Sequence, residues 1–161
     1  MLLLQGVGVS RTAWRPQVDA LATRHRCLAI DHRGIGGSEG DLAGLSVATM
    51  ATDALEALDR LEVPRVHVVG HSLGGVVATA LALRAPGRIA SLSLLCTFAG
   101  GRDLSRPTAR LVWLGARTRI GTREMRRAAF AQLVSAPARI TSRGVEAVAS
   151  ELEAAFGRSL A

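Results

Sequence analysis

The sequence contains no lysine, so all 20 of its basic residues are arginine. This excludes the phosphate-holding lysine of a P-loop and every mechanism that passes through a lysine Schiff base. It fits a GC-rich coding genome better than a chemical demand. Aromatic residues are only 3% of the chain, too few to interleave with basic residues as stacking platforms, so no nucleic-acid partner is expected. Cysteine is scarce as well. Cys27 and Cys96 each lie in a short β-branched or leucine-rich run, and both read as buried free thiols of a cytoplasmic protein rather than as a disulfide. His25, His32, His67 and His71 show no ligand spacing with either cysteine, so neither a metal nor another cofactor is expected. No apolar run approaches the ~20 residues of a membrane span. The opening Met1-Leu2-Leu3-Leu4 lacks a basic flank and a small-residue cleavage site, and reads as the start of a buried strand rather than a signal peptide.

What is present is globular. A chain of 161 residues with 48% hydrophobic and 20% charged residues has enough apolar surface for one core. Its net charge of +7 is uneven. Residues 1–101 are nearly balanced, whereas 102–161 carry an arginine excess, densest from Arg102 to Arg127, which reads as solvated helix faces.

Short apolar runs alternate with helical patterns through the first hundred residues, the signature of βαβ units and a parallel sheet. Strands are expected at Leu2–Gln5, Cys27–Asp31, Val66–Gly70 and Ser91–Thr97, with Val66-His67-Val68-Val69 and Leu92-Ser93-Leu94-Leu95 suited to central strands buried on both faces. Crossover helices are expected at Trp14–Thr23, Val47–Leu61 and Leu73–Arg84, the last stopped by Ala85-Pro86-Gly87. Beyond Gly100-Gly101 the pattern is helical alone, with stripes at Pro107–Thr118, Thr122–Ser135 and Ser142–Phe156. The expected division is a partial core over 1–101, followed by an incomplete helical cap segment over 102–161.

Gly70-His71-Ser72-Leu73-Gly74 is a G-x-S-x-G motif between an expected strand and an expected helix. The five letters recur by chance, and a glycine-rich turn of no consequence is the bland reading. The flanks favour chemistry: a serine on a tight strand-to-helix turn is forced into strained backbone angles that only small neighbours permit, and Gly70, Gly74 and Gly75 give that clearance. The helix N-terminus beneath it favours developing negative charge.

With these residues in view, the chain resembles the α/β-hydrolase family. Leu4-Gln5-Gly6-Val7-Gly8 with Trp14 is similar to that family's strand-to-oxyanion loop, Asp31-His32-Arg33-Gly34-Ile35-Gly36-Gly37-Ser38 to its D-x-R-G-x-G-x-S turn, and Leu73-Gly74-Gly75 through Pro86 to its nucleophile helix. The resemblance covers about residues 1–100. It implies an α/β fold with a partial, doubly wound, mostly parallel sheet in the spatial order Cys27–Asp31, Leu2–Gln5, Val66–Gly70, Ser91–Thr97, with a helical cap segment. It also implies Ser72 as nucleophile, backbone N–H groups of Val7 and Leu73 as an oxyanion hole, and Gly70, His71 and Gly74 as support for the elbow. Gln5 stands where the family often has histidine, a change that affects loop bracing more than a hole made of backbone donors. Asp31 and Arg33 are expected to hold the turn after the second strand. A dinucleotide-binding reading fails, because Glu39 breaks G-x-G-x-x-G in the Gly34–Gly40 stretch and Arg11 breaks it after Gly6.

In the family the triad runs Ser…Asp/Glu…His along the chain, yet no histidine follows Ser72 here. His71 is the nucleophile's neighbour and diverges from it, His32 lies on an adjacent loop, and Asp103 reads as a cap or surface residue. The expectation is a truncated serine hydrolase acting on an ester, lactone, thioester or similar small acyl substrate, inactive or weakly active by itself. The alternative is a non-catalytic fragment or pseudo-hydrolase that binds a ligand or partner. Oligomeric state is not legible.

Overall fold

The computed structural model describes residues 1–98 and 109–156. The chain divides into two compact units, Met1–Asp103 and Leu104–Ala161. No described helix is long and apolar enough to cross a membrane.

The first unit is a four-stranded parallel sheet of β1 (Leu2–Leu4), β2 (Leu28–Ile30), β3 (Val66–His71) and β4 (Ile89–Leu95), in the order β2-β1-β3-β4. This is the order that the family resemblance and right-handed crossovers together imply. Strand ends differ from expectation by one or two residues. The largest shift is at β4, which begins at Ile89 and stops before Cys96, a non-glycine residue at φ 48°.

Leu2 and Leu4 face one side of the sheet with Val66 and Val68. They pack there against Met50, Ala51, Ala54 and Leu58 of α2 (Val47–Arg60) and Val77, Ala78 and Leu81 of α3 (Leu73–Arg84). Each fully buried leucine is worth about 1.5–3 kcal/mol relative to exposure. Helix α2 starts where its sequence dictates. The Ser46 hydroxyl accepts from the Thr49 N–H at 3.1 Å and the Thr49 hydroxyl accepts from the Ser46 N–H at 2.8 Å, satisfying two donors that a helix start leaves unpaired. The expected Trp14–Thr23 helix is a 3₁₀ turn (Arg11–Trp14) leading into α1 (Arg15–Leu21), with Trp14 buried.

Two expectations are corrected here. The β4 leucines are not in a strand buried on both faces: among the described residues β4 is an edge strand, and Leu92, Leu94 and Leu95 are 36%, 40% and 43% exposed. The cysteines are free, but Cys27 is half-buried and Cys96 is exposed beyond the end of that same edge strand.

The second unit contains α4 (Ala109–Arg117), α5 (Arg123–Val134), α6 (Pro137–Arg143) and α7 (Val145–Phe156). The expected Ser142–Phe156 helix is interrupted by Gly144 at φ 78°, a conformation that ends α6 and that only glycine adopts without strain. Pro137, at the first turn of α6, lacks the N–H that this position leaves unbonded, so it starts a helix that the apolar stripe alone did not reveal. Residues 107 and 108 of the expected Pro107–Thr118 helix lie outside the described residues. Ala131, Val148 and Ala149 form a small core with Ile140, Val145 and Leu152. Several arginines of this unit are ion-paired: Arg127 with Glu153 at 3.0 Å, Arg139 with Glu151 at 2.7 Å, and Arg143 with Glu151 at 2.5 Å.

Candidate active site

Strand β3 ends at His71 and α3 begins at Leu73, so Ser72 alone makes the turn, at φ 53° and ψ −121°. A non-glycine residue held in such a region costs on the order of 1–3 kcal/mol and persists only when its surroundings fix it. Here they do. The Ser72 N–H donates to the Leu95 carbonyl at 2.9 Å, while the Ser72 carbonyl accepts from the Thr97 hydroxyl at 2.7 Å and the Gly75 N–H at 2.9 Å.

The glycines of the motif are required by close approach. A Cβ on Gly70 would collide with the backbone of Gly74 and Gly75, and one on Gly74 with the carbonyls of Leu4 and Gln5. A Cβ on Gly75 would stand 2.5 Å from Thr97 Cγ2. Only side chains of zero length let β3, α3 and the end of β1 meet at this point. The N–H groups of Leu73 and Gly74 lie in the first turn of α3, where no preceding helical carbonyl is available to them, and the positive end of the helix dipole is at Ser72.

Register carries the end of β1 to the same place, because Leu4 pairs with Gly70 and the next residues, Gln5-Gly6-Val7, run past the turn. A Cβ built on Gly6 would meet Ser72 Cβ at 3.2 Å and His71 Nδ1 at 3.4 Å, so the Gly6 backbone lies against the serine. Val7 follows, 72% exposed, on a turn. The structure therefore brings Gly6, His71, Ser72 and the start of α3 together and places Val7 one residue from the contact. Gln5 is buried; its Oε1 accepts from the Gly6 N–H at 2.9 Å and lies 3.2 Å from His71 Nδ1.

Asp31 and Arg33 hold the loop after β2. The buried Asp31 carboxylate accepts from the N–H groups of Arg11 (2.5 Å) and Gly37 (3.0 Å), and its carbonyl accepts from the Ser38 hydroxyl at 2.8 Å. Arg33 grips Asp53 with two hydrogen bonds, at 2.6 and 2.5 Å, and this pairing raises its pKa above the ordinary arginine value. His32 between them is 4% exposed, with Nε2 buried and unpartnered. Burial lowers its pKa below 6.5, opposed by the Gln5 backbone and by the Asp53 and Asp31 charges.

Sequence reasoning did not identify the Thr97 hydroxyl as a lock on Ser72, nor the pairing of Gln5 with His71. Thr97 is 25 residues away and carries no motif. The signal for the Gln5 contact was the glutamine itself, an amide at the end of a strand otherwise made of leucine.

A parallel sheet whose third strand turns through one strained serine into a helix defines an α/β protein with a strand–elbow–helix junction. The chain matches the model of the alpha/beta hydrolase fold over residues 1–156, and it belongs to that family. It is 42% identical over 95 residues to a putative carbamate hydrolase RutD of Azorhizobium caulinodans, a match covering 59% of this chain and 36% of that protein. Among solved structures it resembles a hydrolase from Pseudomonas aeruginosa, with a TM-score of 0.71 and 32% identity over 99% of this chain and 61% of the other. It also resembles the enol-lactonase from Burkholderia xenovorans, with a TM-score of 0.68 and 26% identity over 98% of this chain and 58% of the other. The chain thus spans about a third of the length of the curated relative it matches.

Proposed function

We propose that Ser72 is the nucleophile of a hydrolase for small acyl substrates, a class that includes esters, lactones, thioesters and carbamates. The observation that carries this reading is the backbone of Ser72, held at φ 53° between β3 and α3. The relatives' names point to a carbamate and an enol lactone. Both contain a carbonyl carbon bearing a heteroatom leaving group, and both pass through a tetrahedral oxyanion. Ser72 Oγ would attack that carbon, and the backbone N–H groups of Val7 and Leu73 would bind the oxyanion. Such a donor is worth about 3 kcal/mol because its partner charge develops only in the transition state. Gly70, His71 and Gly74 would support the turn, residues 1–101 are read as a partial hydrolase core and 102–161 as a helical cap segment.

The serine's proton must pass to a base, and no histidine among the 161 residues follows Ser72. His67 lies five residues before Ser72 along an extended strand, about 16 Å away at strand spacing. His25, just ahead of β2, has its ring 6.4 Å from that of His67. His32 is buried and His71 is engaged with Gln5. We therefore propose that these 161 residues alone turn over slowly at most, since oxyanion binding without a complete triad typically leaves about 10³–10⁴-fold over water. The same observation favours a second reading, a pseudo-hydrolase that binds an acyl ligand without cleaving it. Hydrolysis of activated esters by residues 1–161, beside the Ser72→Ala variant, separates the readings. Weak turnover lost in Ser72→Ala supports the hydrolase. Turnover indifferent to Ser72 removes the nucleophile, and a bound ester that is never cleaved selects the second reading. Robust Ser72-dependent turnover would contradict the slow rate and send the search for a base first to His32.

A further inference from the structure

One buried oxygen, Gln5 Oε1, stands between two donors. The Gly6 N–H donates to it at 2.9 Å, so the side-chain amide is oriented with its oxygen, not its NH₂, toward the turn. His71 Nδ1 lies 3.2 Å from the same oxygen. A carbonyl oxygen only accepts, so Nδ1 is the donor in this contact, which in a neutral ring is the Nδ1–H tautomer.

The two donors occupy significant places in the chain. His71 immediately precedes Ser72, and Gly6 immediately precedes Val7. Packing does little to hold the tip beyond Gly6: Val7 is 72% exposed, and a Cβ on Gly8, at φ 68°, would touch nothing within 4 Å. The amide bridge is therefore the side-chain hydrogen-bonded tie between this loop and the serine turn, added to the close approach of the Gly6 backbone to Ser72.

We propose that His71 and Gln5 are positioning residues, forming a bridge that fixes the Gly6–Val7 backbone against Ser72 and so aims the Val7 N–H at the developing oxyanion. The proposal rests on the acyl-hydrolase reading of Ser72. Displacement of a catalytic donor by about 1 Å can cost on the order of a hundredfold in rate. Partial loosening of one donor is therefore expected to cost about tenfold, less than its outright removal.

The test uses the full 161-residue chain and the variants Gln5→Met, which keeps side-chain length without the acceptor, His71→Ala, and His71→Asn, which returns an N–H donor. Three quantities are measured: the His71 tautomer by ¹⁵N NMR, the thermal midpoint, and the rate at which a fluorophosphonate labels Ser72. The expected result is Nδ1–H in the parent and Nε2–H in Gln5→Met. Ser72 labelling should slow about tenfold in Gln5→Met and His71→Ala while cooperative melting is retained, with His71→Asn recovering most of the loss. If a variant melts without cooperativity, the parent's tautomer and His71→Asn decide. An Nε2–H tautomer in the parent, or an unchanged labelling rate in folded Gln5→Met and His71→Ala, would overturn the proposal. Absence of any Ser72 labelling in the parent would instead sink the hydrolase reading and the positioning role with it, and the tautomer would still report whether the bridge exists.

Discussion

Strands β1 and β4 flank β3 in the same sheet, pair with it in the same parallel sense and are both rich in leucine, yet they live in different environments. Leu2, Leu3 and Leu4 of β1 are 0–1% exposed, while Leu92, Leu94 and Leu95 of β4 are 36–43% exposed. β1 has strands on both edges, and among the described residues β4 has a strand on one edge only. Composition made both strands; place in the sheet decided what each contributes. β1 supplies core and carries the Gln5–Val7 loop to the serine, whereas β4 supplies the Leu95 carbonyl that anchors Ser72 and leaves an uncharged apolar edge in the open.

The comparison breaks most sharply at matched leucines. Leu4→Ala should cost about 2–5 kcal/mol in a urea melt, since the cavity forms at the centre of the core. That is a large fraction of the ~5–15 kcal/mol that stabilises a typical domain. Leu94→Ala should cost less than about 1 kcal/mol, because much of its side chain already contacts solvent. Equal losses at the two positions would remove the distinction.

Next in size is the junction that depends on both strands. Gly74→Ala drives a methyl group into the Leu4 and Gln5 carbonyls, which cannot rotate away as a side chain would. A loss of about 1–3 kcal/mol is expected, as for other overpacked sites. Gly87→Ala, whose added carbon meets nothing within 4 Å, serves as its control in the same melt.

A change with little effect on melting should alter behaviour at high concentration. The β4 edge has neither charge nor proline, the features that usually keep edge strands from pairing with other chains. Leu94→Lys should lower the sedimentation-average mass at high protein concentration while leaving the urea midpoint nearly unmoved. A mass independent of both concentration and substitution would show the edge to be inert.

The smallest expected effect is in the pH dependence of stability. The folded pKa of His32 is lowered by burial, so the folded state binds fewer protons than the unfolded state as pH falls below 6.5. His32 therefore contributes stability at neutral pH that declines as pH drops from about 6.5 toward the folded value. A His32→Gln variant should show a shallower decline over that window in denaturant melts. A slope identical to the parent's would mean that His32 titrates alike in both states.

Much of this architecture was legible in the sequence. Alternating runs marked the four strands, and their order came from right-handed crossovers together with the topology that the resemblance to the α/β-hydrolase family implies. The bounds of α3 and the position of Ser72 followed from Gly70, Gly74, Gly75 and Pro86, residues whose backbone demands are local. Solvent exposure was not legible. Leu92-Ser93-Leu94-Leu95 reads the same in a central strand and an edge strand, since burial depends on neighbours the run does not encode. Nor was the Gly144 break between α6 and α7 expected, because the apolar stripe of Val145, Val148, Ala149 and Leu152 fits a helix begun earlier just as well. The Gln5–His71 and Thr97–Ser72 contacts join residues 66 and 25 positions apart. Only the folded sheet brings them together.

We propose that the strain and donors gathered at the end of β3 make Ser72 a nucleophile, and intact-mass spectrometry after treatment with excess fluorophosphonate is the test. Residues 1–161 should acquire one adduct, slowly, mapped by peptide sequencing to Ser72 and absent from Ser72→Ala, while the other serines stay unmodified. An unmodified Ser72, or adducts scattered over several serines at similar rates, would contradict the claim.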